Sequence, residues 1–436
     1  MIKKVSLGCC LTLVVAGFSF AGNGNMLHGF GPVNSSMGGA GAGLWLGDPV
    51  GALMFNPALM SASEGHHVSF GTEFFEDDVS IEVDLYNPNR NGLLSGTTHP
   101  SRQLGILPTV AYTYHPPGSR WSFGFGLIGI AGFRTDYPED PSSILFDTPP
   151  YGFGRIYTDH RVTKVPFALS YQVTDKLAVG FSLNGYIAEL AIAPLPYEVY
   201  DAQIGNDNLR FYPQGDGLDS EYAMSVQLGF LYEANECWSV GGSITTEQNF
   251  SPFGWNSTIA NPNDPNFGTS RRLGFDLDGP MIATLGVGWN LGEKTKVALD
   301  TSWIQYDGVA GFGSPGGIVD RVVQPFGWDN VWAYKLGVQH QLNDKIVLRC
   351  GYNYSDVPMP SKNVLTATGA PGIFKHHFSA GMGVKVTENL TANLGVYVVP
   401  TESLEGPYLD LDNNELGRMK TSNGLKSVQV GLAWDF

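Results

Sequence analysis

The chain is poor in charge. Only 15 % of its 436 residues are Asp, Glu, Lys or Arg, against about 25 % in soluble domains. Cations are the scarcer sign: 25 Lys and Arg stand against 41 Asp and Glu, for a net charge of −16. That balance leaves no basic patch for nucleic acid. Cysteine is rare as well, with four residues. Cys9 and Cys10 fall in the leader described below, while Cys237 and Cys350 fall on strands that are not neighbours, so no disulfide is expected. No CxxC or Cys/His cluster suggests a metal, and no cofactor is implied. Long apolar runs are missing too. Leu7 to Phe20 is too short to span a bilayer as a helix, and a mean hydropathy of −0.05 excludes an α-helical membrane protein. No Pro/Ser-rich or charged linker divides the chain. No G-x-S-x-G elbow and no P-loop points to catalysis.

Glycine (56 residues) and aromatics (12 %) are abundant instead. With low charge and neutral hydropathy, this composition suits an outer-membrane barrel, whose strands alternate apolar-out and polar-in. Residues 1–21 read as a secretory signal: Lys3 and Lys4, an apolar run, then Ser19-Phe20-Ala21 as a small-x-small cleavage site. A lipoprotein box at Cys9 is disfavoured, because the apolar stretch follows the cysteine.

Residues 22–65 are rich in Gly and Ala, nearly uncharged, and without strand alternation or a helical stripe. They lack the polar composition of disorder. The segment is expected to be irregular, compact backbone enclosed by the remainder of the chain, a plug inside a barrel. Residues 66–436 supply the wall. Alternating segments begin at His66, Pro108, Trp121, Arg161, Lys176, Glu221, Cys237, Met281, Thr295, Val331, Lys345, His377, Leu390 and Leu425. The expected fold is therefore all-β, a transmembrane antiparallel β-barrel of about 14 strands, the even number usual in bacterial barrels. Short turns such as Thr174-Asp175 and Asn343-Asp344 alternate with long loops, and both the first and the last connection are long. Outer-membrane barrels place short turns in the periplasm, so both termini are expected there. In the last strand Val428, Val430, Leu432, Trp434 and Phe436 share one face, opposite Ser427, Gln429 and Gly431. Apolar faces of this kind would meet lipid, where only a closed sheet leaves no unpaired edge.

Ser35-Ser36-Met37-Gly38-Gly39-Ala40-Gly41, Asp48-Pro49 and Asn56-Pro57-Ala58 resemble the start of the FadL family of outer-membrane transporters for fatty acids and other hydrophobic compounds. Tyr334 to Val338 and Leu348 to Tyr354 are similar to family strands. The resemblance implies a hatch carrying Asn56, Pro57 and Ala58 inside a 14-stranded, monomeric barrel. It implies passive uptake: capture on outer loops, a lumen pocket, then exit past the hatch or sideways at a kinked third strand. The third strand carries Gly124, Gly126 and Gly129, which either mark that kink or make room for the plug. Capture candidates are Ala191 to Tyr197, Phe211, Tyr212, Phe250, Phe253 and Trp255, which otherwise pack loop on loop. Lys335, Arg349 and Lys385 would serve a carboxylate ligand, or pair with Asp300 or Glu73 as lumen salt bridges. The partners expected are a hydrophobic small molecule and the lipid and lipopolysaccharide of the outer membrane, with no nucleic acid. A general porin, a surface adhesin and a barrel hydrolase are the competing readings. His66-His67 and His376-His377 resemble metal pairs, but strand neighbours point to opposite faces.

Overall fold

Period-two alternation sets the architecture. In the computed structural model fourteen strands form the wall: β1 (Gly65–Asn87), β2 (Gly105–His115), β3 (Trp121–Tyr137), β4 (Ile156–Thr174), β5 (Leu177–Ala193), β6 (Gly215–Glu233), β7 (Trp238–Thr245), β8 (Met281–Leu291), β9 (Thr295–Gln305), β10 (Val331–Asn343), β11 (Ile346–Ser355), β12 (His376–Lys385), β13 (Leu390–Leu409) and β14 (Glu415–Asp435). Each pairs antiparallel with the next, and β14 closes on β1 from His67↔Asp435 to Leu85↔Gly417. A further strand, Gly92–Thr98, pairs with the far end of β1. The structure describes residues 22–436 apart from 88–91, 102–103, 144, 149–151, 195–199, 205–206, 212–214, 260–263, 314, 320–321 and 411. It gives backbone alone at 86–87, 92–94, 200–204, 207–211, 215–216 and 322. The expected leader, residues 1–21, lies outside the described residues.

The wall is inverted relative to a water-soluble sheet. Val428 is 45 % exposed and Val430 41 %, whereas Gln429 between them is 1 % exposed. Phe70, Phe125, Phe167 and Trp332 also face outward. Such a surface is stable only against hydrocarbon.

Seven strands run well beyond the bilayer, three of them furthest. β1, β13 and β14 have 23, 20 and 21 residues, where about 9–11 suffice to cross. On β1 the outward residues change from Phe70 and Phe74 to Glu76, Asp78, Glu82 and Asp84, which marks where the strand leaves lipid. Lys420 pairs with Glu82 at 3.2 Å and Arg418 with Glu405 at 2.6 Å on this outer sheet. Its inner face buries Val79, Ile81, Val83 and Leu85 against Tyr137, Phe146 and Met419. The sequence reading stops these strands at Phe74, Val399 and Leu425, because a strand with a charged outer face looks like a polar loop.

The hatch is more regular than its composition suggests. It holds α1 (Gly31–Ser36), α2 (Pro49–Phe55) and a 3-10 turn at Pro57–Ala62. Pro32, Pro49 and Pro57 open these elements, with φ already helical and no N–H to leave unbonded. Asp48 and Asn56 cap the second and third by accepting from Val50 N (3.2 Å) and Ala58 N (3.1 Å). Short capped turns need no amphipathic stripe, hence the expectation of irregular backbone.

The hatch touches the wall at glycines. A Cβ on Gly180, Gly229, Gly241, Gly351 or Gly381 would overlap Ala58, Asn56, Ala42, Gly38 or Ser36 respectively. Replacing Gly351 by Leu should leave the barrel heat-modifiable on gels but unseat the hatch. Overpacking of about 1–3 kcal/mol should speed chymotryptic cleavage within residues 22–62 by roughly tenfold or more. Unchanged cleavage would show that this contact does not hold the hatch.

Candidate hatch and lumen pocket of a membrane channel

Asn56 is the joint of the hatch. It is buried, its Nδ2 donates to Ala42 O and to Phe230 O of β6, both at 2.8 Å, and its Oδ1 accepts from Ala58 N. Pro57 and Ala58 pack over Gly180. The Asn-Pro-Ala run thus ties two hatch segments to the wall. Asp300 on β9 holds the glycine-rich turn, with Oδ2 accepting from Gly41 N (2.8 Å) and Ala42 N (2.9 Å).

The last carbonyls of α2 have no partners within the helix. The wall supplies them. Lys164 Nζ donates to Leu53 O at 3.2 Å, Gln227 Nε2 to Met54 O at 3.1 Å, and Ser243 Oγ to Phe55 O. Above this floor lies a small lumen cavity of about 50 Å³. Hatch residues Met26, Leu27, Phe30, Met54 and Phe55 and wall residues Ile130, Ile282 and Ile304 give it apolar surface. Its cations are Lys164 and Lys335. Lys164 is committed to Leu53 O and to Gln227 Oε1 (3.0 Å). Lys335 Nζ sits 4.6 Å from the centre of the Phe55 ring, a cation–π geometry.

Lys335 therefore faces the cavity as expected, whereas Arg349 does not. Arg349 lies nearer the short-turn rim, donating to Gln339 Oε1 (2.7 Å) and Asn393 Oδ1 (3.1 Å). Lys385 is exposed at the end of β12. The expected lumen salt bridges are corrected. Asp300 accepts from hatch amides, and Glu73 is satisfied by Tyr397 OH, Ser427 Oγ and Gln429 Nε2 at 2.7–2.8 Å. Sequence reasoning missed Lys164; its signal was a lone cation among apolar residues on the strand from Arg161.

A second cavity, about 70 Å³, opens among the long loops, lined by Phe153, Ile156, Ile192, Pro194, Phe275 and Phe326 among others. Ile192 and Pro194 belong to the predicted capture stretch. Phe253 and Trp255 are buried in the loop core rather than displayed, on a strand Phe253–Thr258 paired with Ser270–Phe275. Trp255 Nε1 donates to Gly217 O at 2.6 Å. Phe250 packs on Phe253, with ring centres 6.3 Å apart, and its amide donates to Asp278 Oδ1 at 2.7 Å. Burial raises the Asp278 carboxyl above its ordinary range, against that hydrogen bond. Tyr212 lies outside the described residues, as does the Phe211 side chain.

On the third strand the register shifts at Gly129. A β-bulge falls between Gly129 and Ala131. Gly124 and Gly126 instead make room for Leu53 of the hatch, and Gly124 for Met60 as well. β2 pairs with β3 only up to Thr109↔Ile128, leaving the β3 edge beyond Ile128 without a wall partner. Hatch residues take it: Leu27 N donates to Ile130 O (3.2 Å) and Gly132 N to Asn25 O (3.4 Å). The wall gap is thus closed from inside by the hatch, with Leu107 packed at Gly129. Gly22 also lies in the lumen near the long-loop end of β11, accepting from Ser355 Oγ at 3.4 Å, whereas β1 starts and β14 ends at the short-turn rim. The histidine pairs split as alternation requires. His66 stacks outside on Tyr114 and Phe436, and His67 bonds Asp435 within. His376 bonds Tyr352, and His377 stacks on hatch His28.

A closed transmembrane barrel with a folded hatch, an apolar lumen pocket and a wall break defines the class: a channel of the outer membrane. The model of the outer membrane protein transport family (OMPP1/FadL/TodX) matches residues 12–405, and the chain belongs to that family. Among curated proteins, none matches. Solved structures share the fold. A Pseudomonas aeruginosa FadL homologue is 14 % identical, with 97 % of this chain and 100 % of that one covered and a TM-score of 0.74. The P. putida toluene transporter TodX is 19 % identical, with 94 % and 99 % covered and a TM-score of 0.70. The Ralstonia pickettii toluene transporter TbuX is 19 % identical, with 94 % and 99 % covered and a TM-score of 0.66.

Asn56→Ala removes three hydrogen bonds, one of them to the buried Ala42 carbonyl, and an unmet buried carbonyl costs about 1–3 kcal/mol. Amide exchange at Ala42 to Leu44 and at Ala58 should accelerate while exchange in β9 to β14 stays slow. Uniform protection in the variant would remove Asn56 from this role.

Proposed function

We propose that the protein carries hydrophobic compounds with an ionised carboxylate, such as long-chain fatty acids, passively across the outer membrane. The observation that carries this reading is Lys335. Its ammonium lies in a cavity with apolar hatch and wall surface, over Phe55, with no carboxylate within ion-pair distance among the described residues. Asp300 lies opposite it on β9 but is held by hatch amides, and a cation in low dielectric with no contacting carboxylate favours an anionic partner. In this reading the short-turn rim faces the periplasm. Substrate is captured in the loop cavity, enters the lumen cavity and leaves where hatch residues 25–27 cover the β3 edge, or past the hatch itself. The hatch argues against a general porin, whose lumen is open water. Hydrolysis is no part of the proposal.

The neutral alternative is an aromatic hydrocarbon held by Phe30, Phe55 and the isoleucines; TodX and TbuX are named toluene transporters. Uptake of labelled oleate and labelled toluene by cells lacking their own transporter separates the two. Lys335→Met should weaken oleate binding by about tenfold, as expected for a lost charge-assisted hydrogen bond of about 1.5–3 kcal/mol, and leave toluene unchanged. Equal oleate binding would overturn the carboxylate assignment. No chain-dependent uptake of either compound would overturn transport.

A further inference from the structure

The two cavities share no lining residue. Between them stands a stack of aromatic rings from β3, the end of β9 and loop 307–330. Phe326 lines the loop cavity and stacks on Phe312, with centroids 5.5 Å apart. Phe312 lies 4.7 Å from Trp328, and Phe133 meets Phe312 and Phe326 edge-on. Trp328 meets Tyr306 edge-on at 5.1 Å. All five rings are at most 6 % exposed. Loop 307–330 turns inward through left-handed backbone at Gly308, Gly311 and Gly327, conformations that favour glycine.

The stack is joined to the hatch. The Tyr306 hydroxyl lies 2.8 Å from Asn25 Oδ1 and 3.0 Å from Asn23 O, donating to one at a time, and accepts from Asn25 N at 3.0 Å. Asn23 lines the lumen cavity. A Cβ on Gly24 would overlap the Tyr306 ring, so hatch and ring are fitted to each other. We propose that this ring stack is the inner gate between the loop cavity and the lumen cavity, closed in this structure, and that Tyr306 ties the gate to hatch residues 23–25. The inference rests on the proposed route through both cavities.

The chemistry suits a gate for apolar solutes. The rings present hydrocarbon to an apolar solute that displaces them, and they give water and ions no partner. Within the closed stack Trp328 Nε1 has no acceptor. Displacement toward the loops would let it bond water, which offsets part of the lost ring contact.

Accessibility of the lumen to a reagent that is not a substrate tests the gate separately from transport. In the full chain with Cys237 and Cys350 replaced by Ser, Ile304→Cys places a thiol on the lumen cavity. Intact cells are treated from outside with a membrane-impermeant charged maleimide, and Lys362→Cys on the outer loops serves as the open reference. Ile304→Cys should label far more slowly than the reference. Adding Phe312→Ala should raise its rate by roughly tenfold, since labelling follows the open population. Tyr306→Phe, which keeps the ring but cuts the tether, should raise it too. Phe312→Leu should keep it slow, and heat-modifiability on gels verifies that each variant folds. Labelling of Ile304→Cys at the reference rate, or an unchanged rate in Phe312→Ala or Tyr306→Phe, overturns the proposal.

Discussion

Backbone polar groups sealed inside a barrel must all be bonded, and the wall side chains do this for the hatch. Buried N–H and C=O groups without partners are strongly unfavourable. The hatch contains only two short helices and one 3-10 turn, so many of its groups look outward. Asp300 receives Gly41 and Ala42, Lys164, Gln227 and Ser243 cap α2, Ser379 accepts from Gly38 N, and Ser239 donates to Gly43 O. These inward polar positions of the strands are therefore engaged by the hatch, and the inward glycines let its backbone come close enough to reach them.

That interlock shapes what the channel can pass. The hatch backbone fills much of the lumen. Among the described residues the space left includes two mostly apolar cavities, one on each side of a ring stack, and a break in the wall that hatch residues 25–27 cover. The same segment bonds Tyr306 through Asn25 and the β3 edge through Leu27. Movement of these few residues would change both closures together. Lys335 adds a cation to the lumen cavity beside polar groups such as Gln248 and Thr284, since Lys164 is already bonded.

The barrel was legible because lipid and lumen impose a strict period of two. Val428 to Phe436 announces its two faces, and the alternation of turns and loops follows from closure. Where that constraint lapses, the reading lapses. Above the bilayer β1 continues through Glu76 and Asp78 with its apolar residues still on one side, yet water on the other face makes it resemble a loop. The site was legible only in part. Asn56-Pro57-Ala58 stands out as a motif, and Lys335 as an inward cation. Three-dimensional closure decides the rest. Phe253 and Trp255 look like display residues in a loop but are its core, Gly124 and Gly126 serve the hatch, and Arg349 falls below the cavity because register, not residue type, sets depth in the lumen.

The central claim is that a barrel sealed to water by its hatch still conducts hydrophobic molecules. Purified protein in liposomes can be tested for swelling in arabinose and, in the same preparation, for entry of labelled oleate. The account predicts no swelling above protein-free vesicles together with protein-dependent oleate entry. Rapid swelling in arabinose would contradict it, because the hatch would then leave an open aqueous pore.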